Sequence, residues 1–488
     1  MSDRQVIDRR LSRRSLLKLT TALAATTAGA NLLAACAPAA APSPTAAPKA
    51  TEAPKPAATT APAPAASAAP QPAATAAATT APAAATGKKL TIWMGQSFLE
   101  ALDKKWGSLF EEYGKTKGVA VDFIITPSAQ LPQKLAAAIQ GKNPPDVCYM
   151  YDSDTQYYRG QNQLVDVTDV WDALKKKGGE TYAAADATIT WEGKAWSIPV
   201  GINPWPLHSR RDLLTKAGLK QPATWDEFVE ACKKIQNPPQ LYGYGLCVGK
   251  NDDMNCNFIQ IAWTFGAQMQ TKDNKPAFNT PEMRKAFQFV ADMYKTHKII
   301  PPGAINWDNA GNNNAYQSGQ AAFVSNPSSV LAWLQTNAKD LAEATTLENI
   351  PAGPAGSFGE VDCWAMAIFK DSKVQDLGKE ALAYVMEPDR YAQYIEVAGG
   401  RYVPVYKKLT DNKFWKEDRY YKTYPGIAES GRIMAYPGQP QAAFGEVLRA
   451  YILPDALQAI IVQGQSVDQA VEAADKKIQD IYKKHGFI

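Results

Sequence analysis

The run Asn143-Pro144-Pro145-Asp146-Val147-Cys148-Tyr149-Met150-Tyr151-Asp152-Ser153 sets an Asn-Pro-Pro breaker before four apolar residues and closes on polar ones. So short and unbroken an apolar stretch, with no polar alternation, is the pattern of a strand buried on both faces of a parallel sheet. Upstream, an apolar strand over 90–93, a helical pattern over 99–113, a strand over 119–125 and a helix over 131–140 complete a strand–helix alternation. That order implies a parallel α/β sheet. In open sheets of this kind ligands lie outside the carboxyl ends of the strands. The loops 93–96 and 151–154 are therefore the first candidate site segments, with Trp93, Gln96, Tyr151 and Asp152 as candidate ligand-binding residues.

Residues 88–488 hold all twelve tryptophans and are too many for one core of ordinary size, so two lobes with a cleft between them are expected. Gln221-Pro222-Ala223-Thr224-Trp225-Asp226-Glu227-Phe228 carries a capping box, Thr224 with Glu227, at the head of an amphipathic helix. A second box, Ser466 with Gln469, opens a C-terminal helix expected over 467–482. Trp106, Trp225, Trp333 and Trp415 fall at core spacing on helices and are read as packing residues.

The formal charge of +4 belongs to the first 35 residues, which carry six Arg or Lys against Asp3 and Asp8. Taking these from the 52 basic and 48 acidic residues leaves 46 of each. A neutral balance gives no electrostatic footprint for nucleic acid, so no nucleic-acid partner is expected. Cys148, Cys232, Cys247, Cys256 and Cys363 show no Cys-x-x-Cys spacing, so a zinc site is not expected, and a pairing of Cys247 with Cys256 stays open. His208, His297 and His485 have no partner at ligand spacing, and no Gly-x-Ser-x-Gly, His-Glu-x-x-His or phosphate-loop motif occurs. No catalytic residue, cofactor or metal is expected.

Further motifs follow in order: Gln163-Leu164-Val165-Asp166-Val167-Thr168-Asp169, Trp196-Ser197-Ile198-Pro199, Arg211-Asp212-Leu213-Leu214, Ala217-Gly218-Leu219, Ser318-Gly319-Gln320-Ala321-Ala322-Phe323 and Pro351-Ala352-Gly353-Pro354. With the strand at 90–93, Pro145-Asp146-Val147 and the Thr224 box, this order resembles extracellular solute-binding proteins of the maltose-binding type, over nearly all of 88–488. The resemblance implies an α/β, two-lobe periplasmic-binding-protein-like fold (type II) with a ligand cleft between lobes. It implies a carbohydrate ligand, hinge closure, delivery to the permease subunits of an ABC importer, and a monomer. It places lobe one at 88–202 plus 365–435 and lobe two at 203–364 plus 436–488. The crossings would lie near 201–206, 353–364 and 434–439, rich in Gly and Pro.

A sugar presents hydroxyls that suit amides and carboxylates, and C–H faces that suit aromatic rings. Near the crossings the candidates are Asn203, Trp205, Asn257, Trp307, Asp308, Asn326, Trp364 and Arg401. The loop after Ser325 is Asn326-Pro327-Ser328, where many members of the resembled family carry an aromatic. The rival class is an exported carbohydrate-active enzyme; acidic residues near the crossings also suit a polyamine, and a sensor or other solute-binding protein on the same fold is a further alternative.

The N-terminal run Ser12-Arg13-Arg14-Ser15-Leu16-Leu17-Lys18 resembles a twin-arginine signal, and Leu33-Ala34-Ala35-Cys36 resembles a lipobox whose cysteine is diacylated. Residues 37–87 contain 25 Ala, 11 Pro and 8 Thr and no Leu, Ile, Val or aromatic, so they cannot bury enough apolar surface to order themselves. They read as a tether reaching between about 40 Å as a coil and about 160 Å fully extended. The protein is thus expected outside the cytoplasm, anchored in the cell membrane through lipid on Cys36. Replacing Cys36 by Ser should release the folded protein from membranes on fractionation. If it still pellets after a carbonate wash, the segment 15–35 is an uncleaved membrane span instead.

Overall fold

The computed structural model describes residues 87–488, except 129 and 152. The signal, Cys36 and tether expectations, and Asp152, lie outside the described residues. Nine of the eleven strands among the described residues build the two main sheets: β1 (Lys89–Gly95), β2 (Ala120–Thr126), β3 (Val147–Met150), β4 (Ile198–Trp205), β5 (Leu207–Arg210), β6 (Tyr242–Tyr244), β7 (Ala321–Ser325), β8 (Thr345–Glu348) and β9 (Glu360–Ile368). The first sheet runs β2-β1-β3-β9-β4 and the second β8-β5-β7-β6.

In the first sheet β1 pairs parallel with β2 and β3, as the strand–helix alternation requires, while β9 runs antiparallel to both β3 and β4. The carboxyl ends of β1, β2, β3 and β4 and the start of β9 consequently share one edge. β3, β4 and β9 are buried at every position, because helices cover both faces of the sheet centre. β1 alternates, with Leu90, Ile92 and Met94 inward, which leaves Trp93 on the opposite face.

Two apolar cores form, and β7 of the second sheet contributes to both, Ala321 and Val324 to the first and Ala322 and Phe323 to the second. The first holds Trp106, Phe110, Trp171 and Tyr391; the second holds Trp225, Phe228, Phe287 and Trp263. β4 stays in the first sheet through Trp205 and β5 begins in the second at Leu207, so Pro206 alone separates the two lobes there. The chain returns between β8, at Glu348, and β9, at Glu360. Ala428 packs in the first core and Met434 in the second, which marks the third passage. The expected boundaries at 202/203 and 364/365 fall inside β4 and β9.

Both capping signals have local consequences. Thr224 Oγ1 accepts the Glu227 amide at 3.3 Å, and the Glu227 carboxylate reaches back to the Ala223 amide at 2.8 Å. The Ser466–Gln469 box closes in both directions at the head of helix Val467–Lys484. The cysteines at 148, 232, 247, 256 and 363 are buried and form no disulfide, so Cys247 and Cys256 are not bridged. No described helix is long and apolar enough to cross a membrane.

Trp225 is 3% exposed, donates its indole N–H to Thr264 Oγ1 at 2.9 Å, and meets the rings of Phe228 and Phe289. Trp225→Ala should cost about 3–5 kcal/mol in a denaturant melt through the cavity it leaves. Any ligand affinity should survive where the protein stays folded; a large affinity loss would place Trp225 in the site.

Candidate functional site

The shared strand edge of the first sheet faces a cleft between the lobes. Phe98, Ser128 and Tyr151 reach it from the loops after β1, β2 and β3, Asn203 and Trp205 from the end of β4, and Asp362 and Trp364 from the start of β9. The opposing wall comes from the second lobe: the first turn of helix Asp252–Thr264, Asn309, Asn313 and Asn326.

The floor is organised around one carboxylate. Register pairs Asp362 with Asn203 and Glu360 with Trp205, so residues on adjacent strands bring their polar groups together. Asn203 Nδ2 and Trp205 Nε1 both donate to Asp362 Oδ2, at 3.0 and 2.8 Å. Asp362 Oδ1 is buried and makes no hydrogen bond. Burial pushes the acid up to about 6, against the Trp205 and Asn203 hydrogen bonds, the charge of Arg401 and the nearby Trp364 indole, all of which favour ionisation. Arg401 is 1% exposed; its Nη1 donates to Asn203 Oδ1 and its Nε to the Ser97 carbonyl at 3.4 Å. Its guanidinium lies 4.9 Å from the centre of the Trp364 ring and 4.4 Å from that of Tyr402. Two glycines make room for this arrangement. Gly400 takes φ +87 where a Cβ would lie 2.5 Å from Tyr421, and a Cβ on Gly201 would lie 2.8 Å from Tyr402.

The facing wall is the head of the helix Asp252–Thr264. Asn251 Oδ1 caps the Met254 amide at 2.9 Å, and Asn309 Oδ1 takes the Asp252 and Asp253 amides at 3.1 and 3.4 Å. Asp253 Oδ2 accepts from Asn312 Nδ2 at 2.9 Å. Burial raises Asp253 to about 7; the Asn312 hydrogen bond opposes this, the charges of Asp252 and Asp362 add to it, and Arg401 opposes it. Asn255 is 2% exposed, donates to the Leu448 carbonyl at 3.3 Å, and leaves its own Oδ1 without a hydrogen bond. Gln260 Nε2 reaches the Trp205 carbonyl at 3.0 Å, tying this helix to β4.

At one end the lobes meet through an ion pair. Arg449 Nε donates to Asp154 Oδ1 at 2.7 Å, while Asp154 Oδ2 takes the Tyr151 amide at 3.1 Å. Burial lifts the Asp154 acid despite Arg449. The helices that carry the pair touch closely, since a Cβ on Gly160 would lie 2.2 Å from that of Ala442.

Of the residues expected from sequence, Tyr151, Asn203, Trp205, Asn326, Trp364 and Arg401 line this cleft. The others described do not. Trp93 points away from the strand edge, under the Lys134 ammonium at 4.1 Å. Gln96 is exposed, and its backbone N–H donates to the Thr126 carbonyl at 3.0 Å. Asn257 turns back to the Asp253 carbonyl at 2.8 Å. Trp307 is half-buried over Gly311, where a Cβ would lie 2.4 Å from it, and Asp308 is exposed and caps the Ala310 amide. Asp253 and Arg449 were not among the candidates, whereas Asp154 closes the expected loop 151–154 and Asn255 was read with Asn257 at the head of this helix. The signal for Asp253 is the cap at Asn251, which starts the helix just before it.

With two lobes, three crossings and a polar, aromatic cleft between them, the chain belongs to the bacterial extracellular solute-binding proteins, whose family profile matches residues 108–423. These are binding proteins that work outside the cytoplasm. A Brucella abortus (strain 2308) chain whose name calls it a binding protein is 24% identical over 402 residues, covering 78% of this chain and 91% of that one. The diacetylchitobiose binding protein DasA of Streptomyces coelicolor is 24% identical over 331 residues, covering 64% and 72%. The maltose-bound structure of T. maritima MalE3 superposes with a TM-score of 0.71 at 21% identity, covering 81% and 100%. The resemblance to the maltose-binding type therefore holds for the fold.

The raised Asp253 acid has a stability signature. From 3.8 in an exposed carboxylate it rises to about 7 here, so the folded state holds the proton more tightly. Its contribution to stability is fully present below the unfolded value and is lost as pH rises through about 7. Asp253→Asn keeps an acceptor for Asn312 and removes the charge. Between pH 5 and 8 the variant should gain about 2–3 kcal/mol on the parent in denaturant melts without ligand. Parallel curves would show that Asp253 ionises as an ordinary surface acid.

Proposed function

We propose that this chain captures a carbohydrate in the interlobe cleft and delivers it to the membrane permease of an ABC importer. The observation that carries this reading is the pairing, within one cleft, of two indoles with amide and carboxylate groups whose acceptors are left open. Trp205 and Trp364 supply apolar surface, and Asp362 Oδ1 and Asn255 Oδ1 await donors such as sugar hydroxyls. DasA, named for diacetylchitobiose, and the maltose-bound MalE3 structure support the sugar class. The role is binding, with no bond made or broken.

Delivery requires the protein to stay near its permease, and diacylated Cys36 with the tether after it would keep it there. Pro206 and the two later passages would serve as hinges, with the first sheet, whole β4 and β9 included, in one lobe and the second sheet in the other. Closure would act about these short segments while each core stays intact.

The test is a thermal-shift screen of mono- and oligosaccharides followed by calorimetry. A ligand present at 100 times its dissociation constant should add about 2.7 kcal/mol of stability. Trp364→Ala should then cost about 2 kcal/mol of binding, roughly thirtyfold in Kd. Trp307→Ala, outside the cleft, should leave Kd within about threefold. Equal losses in both would dissociate binding from the cleft described above.

A further inference from the structure

Four carboxylates, those of Asp154, Asp252, Asp253 and Asp362, line the cleft against two guanidinium groups, Arg401 and Arg449. Arg449 is taken up by Asp154. Arg401 is held by Asn203 Oδ1 and the Ser97 carbonyl, over two aromatic rings. Asp253 and Asp362 feel the charge of Arg401 and Asp252 that of Arg449, but among the described residues none of the three forms an ion pair with either guanidinium.

The hydrogen-bond inventory points the same way and is independent of charge. Asn255 Oδ1 and Asp362 Oδ1, on opposite walls and in side chains 2% and 3% exposed, are buried acceptors without a donor. Such atoms are costly to leave open, so an occupant that fits presents donors to both walls. Neutral hydroxyls satisfy the open acceptors and leave the excess negative charge where it is. An ammonium group satisfies them and neutralises part of that charge beside buried Asp362, where opposite charges attract more strongly than in solution.

Resting on the carbohydrate reading above, we infer that the cleft selects an amino sugar with a free, protonated amine over the corresponding neutral sugar. The amine lies between the Asp253 and Asp362 walls, and the remaining hydroxyls and ring face meet the amides and indoles. Burial, which pushes both acids up, is offset when the cation arrives.

Calorimetry on the purified protein with four probes tests this: chitobiose with both amines free, its N,N′-diacetyl form, cellobiose, and spermidine. The three disaccharides share one skeleton and differ at C2 as ammonium, acetamide and hydroxyl. The diamino disaccharide should bind at least about tenfold tighter than the other two, about 1.4 kcal/mol. Asp253→Asn should narrow that ratio to about threefold or less. Cellobiose or the diacetyl form binding as tightly as the diamine overturns the amine preference and leaves the carbohydrate reading standing. Spermidine binding while all three disaccharides fail overturns the carbohydrate reading and the amino-sugar inference with it. Failure of all four at millimolar concentration contradicts both, and an unchanged ratio in Asp253→Asn removes the assignment of the amine to that wall.

Discussion

A carboxylate held out of water at the edge of a sheet needs donors, and the arrangement around Asp362 follows from that need. Its two donors come from β4, the strand beside it, and one of them, Asn203, passes a second bond on to Arg401. Arg401 in turn needs a position reached only through the left-handed backbone of Gly400, and an aromatic bed that exists because Gly201 lets Tyr402 approach. Removing one member of such a network leaves others buried without partners, which costs more than the bond itself. The satisfied oxygen fixes the floor of the cleft, and the unsatisfied one gives the cleft its chemistry.

The same sheet edge explains how two separate cores come to share one site. Three parallel strands ending together, with β9 inserted antiparallel, bring a crossing strand to the place where the ligand loops already converge. The second lobe contributes a helix terminus, whose first-turn acids are favoured by the partial positive charge there and opposed by burial. Burial is the first cause for Asp253, so its acid stays high. Outside the cleft the charged residues form mostly exposed pairs such as Lys104–Glu100 and Lys476–Asp480, each contributing little to stability. The Asp154–Arg449 pair differs in being largely shielded and in joining residues of different lobes.

Much of this was legible in the sequence, and the limits have physical causes. The unbroken run 147–150 and its flanking strands were readable because a buried parallel strand leaves no polar alternation. Both capping boxes were readable because their chemistry is local. Trp205 and Trp364 drew attention as large rings in Gly- and Pro-rich segments, and both reach the cleft. Trp307 stood in an equally irregular segment, yet it covers Gly311, a contact four residues away that no local pattern announces. Trp93 shows the complementary limit: a strand end can be located from its run, but the face of its last side chains depends on register with β2. Asp154 and Arg449 are 295 residues apart, and only the assembled fold brings them together.

The central claim is that the open acceptors on the two walls are completed by one bound solute. A crystal structure of the protein with the tightest binder from the sugar screen tests it directly. The account predicts ligand donors within hydrogen-bonding distance of both Asp362 Oδ1 and Asn255 Oδ1, with the ring against Trp205 or Trp364. A ligand seated elsewhere, with those two oxygens still open or occupied only by water, would contradict it.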